Sequence, residues 1–273
     1  MKKVVLSAVL ISTFAFSTQA QILLSGGLSY SQSFDSLPST GTSGTWTDNS
    51  TLPGWYASKI PGGVPTTYSV FRIDNGANNS GSLFDYGTTG ASDRSLGSLT
   101  SGTPLNNAIG VLFKNDTGAA ATYDISISYT GEEWRLGGNA SVQTNLAFDY
   151  TLSSSDLSAS ILSPVTNNPA FTGVASLNFV TPTGGATAAA LDGNASANRT
   201  ALTGTLTSIT LNAGDEIMLR WVDINDAGND DGSSIDDFSI NFTPSIAPEP
   251  TTAALGGLGA LALIFARRNR KNH

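Results

Sequence analysis

Six carboxylates fall within 15 residues between Asp223 and Asp237, the densest concentration of chemistry in the chain. Packed that closely they repel one another unless something neutralises them. Hard oxygen donors interleaved with glycines suit Ca²⁺, and Asp223, Asn225, Asp226, Asp230 and Asp231 are its candidate ligands. The segment is not an EF-hand loop. Asp223, Asn225 and Gly228 fall at the first, third and sixth positions, but Ala227 stands at the fifth and Ser234 where a bidentate Glu belongs. A solvated acidic loop, with one or two Asp side chains capping turns, is the competing account.

A second cluster, Glu132-Glu133-Trp134-Arg135, could serve a glycan or an acid/base reaction. On a strand, however, the adjacent Glu132 and Glu133 face opposite sides and form no ready pair. The structural alternative pairs one of them with Arg135 or Arg220 beside a partly buried Trp134. A third stretch, Leu191 to Arg199, reads as a hydrogen-bonded turn that Arg199 ties to the body. Cysteine is absent and the one histidine is His273. The interior of the chain therefore lacks a Ser-His-Asp triad, a Cys nucleophile and the usual zinc or copper ligands. No catalytic residue is assigned.

The elements that must position these residues alternate with period two. Tyr123, Ile125, Ile127 and Tyr129 are interleaved with Asp124, Ser126, Ser128 and Thr130. Leu146, Phe148, Tyr150 and Leu152 repeat the pattern, as do Leu219 with Trp221 and Phe238 and Ile240 with Phe242. Gly, Asn, Ser and Thr clusters separate these runs. The pattern predicts an all-β, two-sheet antiparallel sandwich, jelly-roll-like in preference to a generic Greek key. Its last unit reads as a hairpin: Glu216 to Ile224, a loop from Asn225 to Ser234, then Ile235 to Phe242, bringing the chain out at an edge.

The two ends read as addresses. Lys2-Lys3, the apolar Val4 to Phe16 and the small residues before Ala20 make a signal peptide cut between Ala20 and Gln21 by signal peptidase. At the other end Pro248-Glu249-Pro250 precedes an apolar run, Thr251 to Ala266, and a basic stop of Arg267, Arg268, Arg270 and Lys271. Sixteen residues give roughly 24 Å of helix, a marginal transmembrane span with a cytoplasmic C-terminus. Three parts follow: 1–20, a β-domain at 21–246, and a tail at 247–273 with its span at 251–266. Of 13 basic residues six lie in the two ends, and of 21 acidic residues only Glu249 does. The domain thus holds seven basic against twenty acidic side chains, a net charge of −13. Such a surface excludes nucleic acid as a partner but leaves divalent cations and neutral polymers open.

The tail closely resembles the PEP-CTERM sorting signal of exported bacterial proteins. That resemblance implies an exosortase as processing partner, transient tethering in the inner membrane, and a cell-surface or extracellular destination. Within the domain, Ser50 to Tyr56, Gly81 to Arg94, Tyr129 to Arg135, Asp192 to Arg199 and Leu219 to Asp237 together resemble a secreted β-sandwich domain of such proteins. This second resemblance implies no catalytic residues. Three roles follow as expectations: a non-enzymatic adhesive or exopolysaccharide-associated surface protein, a carbohydrate-active glycosidase or lyase working with carboxylates, and a module recruiting a secreted enzyme. Exposure of Trp46, Trp55, Trp134 and Trp221 in a row would favour glycan binding, and their burial plain packing.

Overall fold

The computed structural model describes residues 21–60, 64–102, 106–139, 143–162, 170–226 and 228–245. The signal segment and the apolar tail lie outside the described residues. The fold is a two-sheet β-sandwich, and its helical elements among the described residues are short 3-10 turns such as Ser158–Leu162. One sheet runs Thr172–Gly173, Asn145–Ser153, Glu216–Ile224, Asn106–Lys114, Trp55–Lys59, Thr66–Thr67. Ile22–Leu23 adds to Asn106–Lys114, and Phe179–Val180 to Asn145–Ser153. The other runs Ala189–Ala190, Ala121–Leu136, Gly232–Pro244, Ser95–Leu99, Ser82–Tyr86, Val70–Asp74, Ser43–Thr45. Here Arg199–Leu211 also pairs with Ala121–Leu136, and Ser29–Gln32 with Gly232–Pro244. Pairing is antiparallel except at Ile22–Leu23 and between Val70–Asp74 and Ser82–Tyr86.

From Ser95 onward, successive long strands alternate between the sheets, as the double Greek key of a jelly roll requires. The alternating residues read from the sequence meet in the middle: Tyr123, Ile125, Ile127 and Tyr129 from one sheet, Phe148, Leu219 and Trp221 from the other. The hairpin expectation is corrected. Glu216–Ile224 and Gly232–Pro244 belong to different sheets, so the two strands do not pair as a hairpin. The last strand does not lie at an edge; Ala121–Leu136 flanks it on one side, and Ser29–Gln32 and Ser95–Leu99 flank it on the other. Local alternation cannot distinguish a hairpin from a crossover, because both need a polar loop between two strands.

The sheet containing Glu216–Ile224 is covered on its outer face too. Tyr56, Ala108, Leu112, Met218 and Val222 pack there under Leu157 and Ile161. That explains the unbroken burial of Met218-Leu219-Arg220-Trp221-Val222, in which Arg220 is carried on the outer side. Its guanidinium grips Asp149 at 2.9 and 2.7 Å, with the Phe171 ring 3.6 Å above. A buried cation is tolerable only with such partners.

Candidate functional site

The outer face of the other sheet carries a polar cluster that the fold builds from distant strands. Register places Glu132 opposite Ser234 and Thr130 opposite Asp236. Ile235, Phe238, Ile240 and Phe242 all face the core, although 235 and 238 differ by an odd number. An extra residue restores the parity, and Asp237 supplies it with a left-handed φ of 48°. Asp236 is thereby kept on the side of Glu132. Trp134 Nε1 donates to Glu132 Oε2 at 2.9 Å and to Ser95 Oγ at 3.1 Å, and Ser95 Oγ lies 2.8 Å from Ser234 Oγ. Glu132 is 1% exposed and Asp236 4%. Burial, reinforced by Glu132, pushes Asp236 up to about 8; burial likewise raises Glu132. With no cation paired to either among the described residues, burial favours the protonated form of both carboxyls.

Glu133 points the other way, as expected of an adjacent residue on a strand. Its Oε2 accepts from Thr183 N at 2.8 Å, and burial pushes it up to about 7. The pairing of either glutamate with Arg135 or Arg220 is corrected. Arg135 donates to the carbonyls of Gly76 and Ala77, and Arg220 is held by Asp149. Trp134 is 1% exposed, fully rather than partly buried. It stacks on Tyr86, which stacks on Phe84, at 5.9 and 4.7 Å between centroids.

The turn from Leu191 to Arg199 closes over this column. Asp192 O accepts from Asn198 Nδ2, Asp192 Oδ1 accepts from Asn194 N, and Leu191 N donates to Trp134 O. A Cβ on Gly193 would stand 2.4 Å from the Trp134 ring, which the stack behind it prevents from retreating. Gly193→Ala is therefore expected to lower stability by ~1–3 kcal/mol. Chemical denaturation of the variant checks this; an unchanged midpoint would mean that the turn yields instead.

The carboxylates of the acidic loop are engaged in hydrogen bonds within the protein. Among the described residues no three acidic, His or Cys side chains gather to hold a metal ion. Asp223 turns into the sandwich and accepts from Ser98 Oγ of the opposite sheet at 2.6 Å. Asp230 Oδ1 accepts from Asp226 N at 2.6 Å, while Asp231 accepts from Gly137 N and Thr181 Oγ1. Asn225 donates to the carbonyl of Asp226. These oxygens are engaged by different partners, yet Asp223, Asp226, Asp230 and Asp231 remain near enough for their charges to act on one another. Burial pushes Asp223 up to about 7, its hydrogen bond from Ser98 opposing that rise. The sequence contained no signal for this inward turn, since Ser98 lies 125 residues away.

All four tryptophans are buried, between 0% and 2% exposed. No exposed Trp platform exists among the described residues.

Residues 247–271 match the PEP-CTERM protein-sorting motif, which implies export and processing at the membrane by an exosortase. The Pro248-Glu249-Pro250 triplet and the arginines fall within that match. No curated protein matches the chain. Among solved structures, the CBM22-1 xylan-binding domain from Paenibacillus barcinonensis Xyn10C is similar at 15% identity, over 80% of this chain and 95% of that one, with a TM-score of 0.34. The K2 cleaved adhesin domain of Lys-gingipain is similar at 13% identity, over 80% and 98%, with a TM-score of 0.35. TmCBM61 in complex with beta-1,4-galactotriose gives 10% identity over 56% and 74%, at 0.26. Likenesses this distant carry nothing about ligand or role to this chain.

Proposed function

We propose that this chain is an exported surface or matrix protein whose β-sandwich, residues 21–246, serves as a non-enzymatic, glycan-associated module. Residues 1–20 direct export, and 247–273 hold the protein in the inner membrane until an exosortase removes the span at 251–266. The sorting motif carries the reading: it begins three residues after the last strand ends at Pro244. The placement of the carboxylates supports the non-enzymatic side. A glycosidase sets two carboxyls roughly 5–10 Å apart across a cleft. Here Glu132 and Glu133 sit on opposite faces of one strand, and Glu132 and Asp236 are both buried.

Three measurements test the proposal. Intact mass of surface material from an exosortase-bearing host is expected to show a chain beginning at Gln21 and lacking Arg267 to His273. Protein retaining those residues would mean that the tail is an ordinary anchor. Alanine at Pro248, Glu249 and Pro250 is expected to leave the protein in the membrane fraction. A glycan array probed with the surface form, with and without Ca²⁺, tests the module. Hydrolysis of any arrayed glycan would favour the carbohydrate-active alternative.

A further inference from the structure

The seven cations of the domain are unevenly employed. Arg94 pairs with Asp85 at 2.7 Å, Lys114 with Glu216 at 3.2 Å, and Arg220 with Asp149 at 2.7 Å. Arg135 is spent on two carbonyls, and Arg199 stands opposite Glu132 with its charge acting on Asp93. Lys59 and Arg72 remain, with no carboxylate or carbonyl partner among the described residues. Both line the same groove, of about 570 Å³, where the edges of the two sheets approach each other. Lys59 ends the strand Trp55–Lys59 of one sheet, and Arg72 is central in Val70–Asp74 of the other. Two unpaired cations converging on one groove of a domain with net charge −13 call for an anionic occupant.

We propose that this groove binds an acidic glycan, one whose sugars carry carboxylates; this rests on the glycan-associated reading above and specifies its ligand class. The site is held rigidly. Tyr68 donates its hydroxyl to Asn107 at 2.5 Å, fixing its ring, and Lys59 Nζ lies 4.9 Å from the centre of that ring. Arg72 is locked in register between Ser43 and Phe84. Its planar guanidinium matches a carboxylate with two parallel hydrogen bonds, and Lys59 adds a point charge. Thr42, Ser43 and Ser82 offer hydroxyls to sugar hydroxyls, and among the described residues no carboxylate lines the groove. A phosphate polymer is disfavoured because its close-set charges would run onto the surrounding acidic surface. A glycan spaces its carboxylates by a whole sugar and presents neutral hydroxyls between them.

The full-length chain, purified in a neutral detergent, is titrated calorimetrically with tetragalacturonate and with its fully methyl-esterified form. The two ligands share one sugar backbone, and esterification removes the charge of each carboxyl while adding a methyl group. The expected result is binding of the acid form at least about tenfold tighter than the ester, weakening as sodium chloride is raised. The double substitution Lys59→Gln with Arg72→Gln is expected to remove at least about tenfold of that affinity. Lys114→Gln, whose cation is engaged elsewhere, is expected to change nothing. Equal affinity for acid and ester, or full affinity in the double variant, overturns the charged groove and leaves glycan association standing. Failure of both ligands and of every arrayed glycan overturns both readings. If the double variant does not fold, the acid and ester arms on the unaltered chain still decide.

Discussion

Raising the pH from about 5 to about 8.5 is expected to lower the melting temperature of the sandwich by roughly 8–16 °C. The three buried carboxyls with the largest rises carry most of the effect: Asp223 and Glu133, pushed up to about 7, and Asp236, pushed up to about 8, with Asp85, pushed up to about 6, acting in the same sense. Desolvation is the first cause in each. In the unfolded chain the same groups titrate near 4. Between those values the folded state binds more protons than the unfolded one, so stability falls as pH rises. The contribution is fully present below pH ~4 and lost by the time Asp236 ionises. If each group shifts by just one unit within the window, the three together are worth about 4 kcal/mol, and a domain of this size moves ~2–4 °C per kcal/mol. Asp116 and Asp156 have lowered values and act in the opposite sense, but only where the pH falls below the usual carboxylate range. Asp236→Asn keeps the shape and removes one titration, so its melting temperature is expected to depend less on pH. A melting temperature that is flat or rising over this range would show that these carboxyls are hydrated or paired in solution.

The second large effect is expected at Trp221. Its indole stacks on Trp55 at 6.0 Å and 15°, and meets Phe148, Phe238 and Tyr129 edge-on at 5.2–5.5 Å. Phe238 and Tyr129 come from the opposite sheet, so one side chain joins both layers. Trp221→Ala is expected to cost about 3–5 kcal/mol, the transfer term together with the cavity left behind. That corresponds to roughly 6–20 °C in melting temperature. Trp221→Phe retains most of the contacts and is expected to lose less than half as much. Urea unfolding monitored by tryptophan fluorescence checks both, and a loss below about 1 kcal/mol for alanine would mean that the two sheets repack around the gap.

The sandwich was legible wherever burial is one-sided, since alternation at Tyr123 to Tyr129 directly reports which face is inside. It was less legible at Met218 to Val222, where both faces are covered: Leu219 and Trp221 alternate, but Met218 and Val222 on the other face are apolar too. The parity break between Ile235 and Phe238 was present in the sequence, and it marks the bulge that sets Asp236 beside Glu132. Nothing local could show which acids share a neighbourhood. Asp223 and Asp231 are close in sequence but bond to Ser98 and Thr181, while Glu132 gains Asp236 from another strand. The Lys59 and Arg72 groove was hidden for a related reason: its two halves belong to different sheets, and only their lack of partners links them.

The position of Gly232–Pro244 inside its sheet has a mechanical consequence. A tether pulling on the chain beyond Pro244 draws on a strand bonded along both flanks, from Tyr123↔Pro244 to Arg135↔Gly232 on one side and at Ser29–Gln32 on the other. Ser245 N adds a bond to Thr122 O at the exit, and Phe242 N one to Leu28 O. An edge strand can be peeled away while the rest of a sheet survives. Here detachment of the terminal strand would split the sheet through its middle and expose the core face of Phe238, Ile240 and Phe242. Load applied at the C-terminus is thus borne by the whole sandwich, which either holds intact or fails at once.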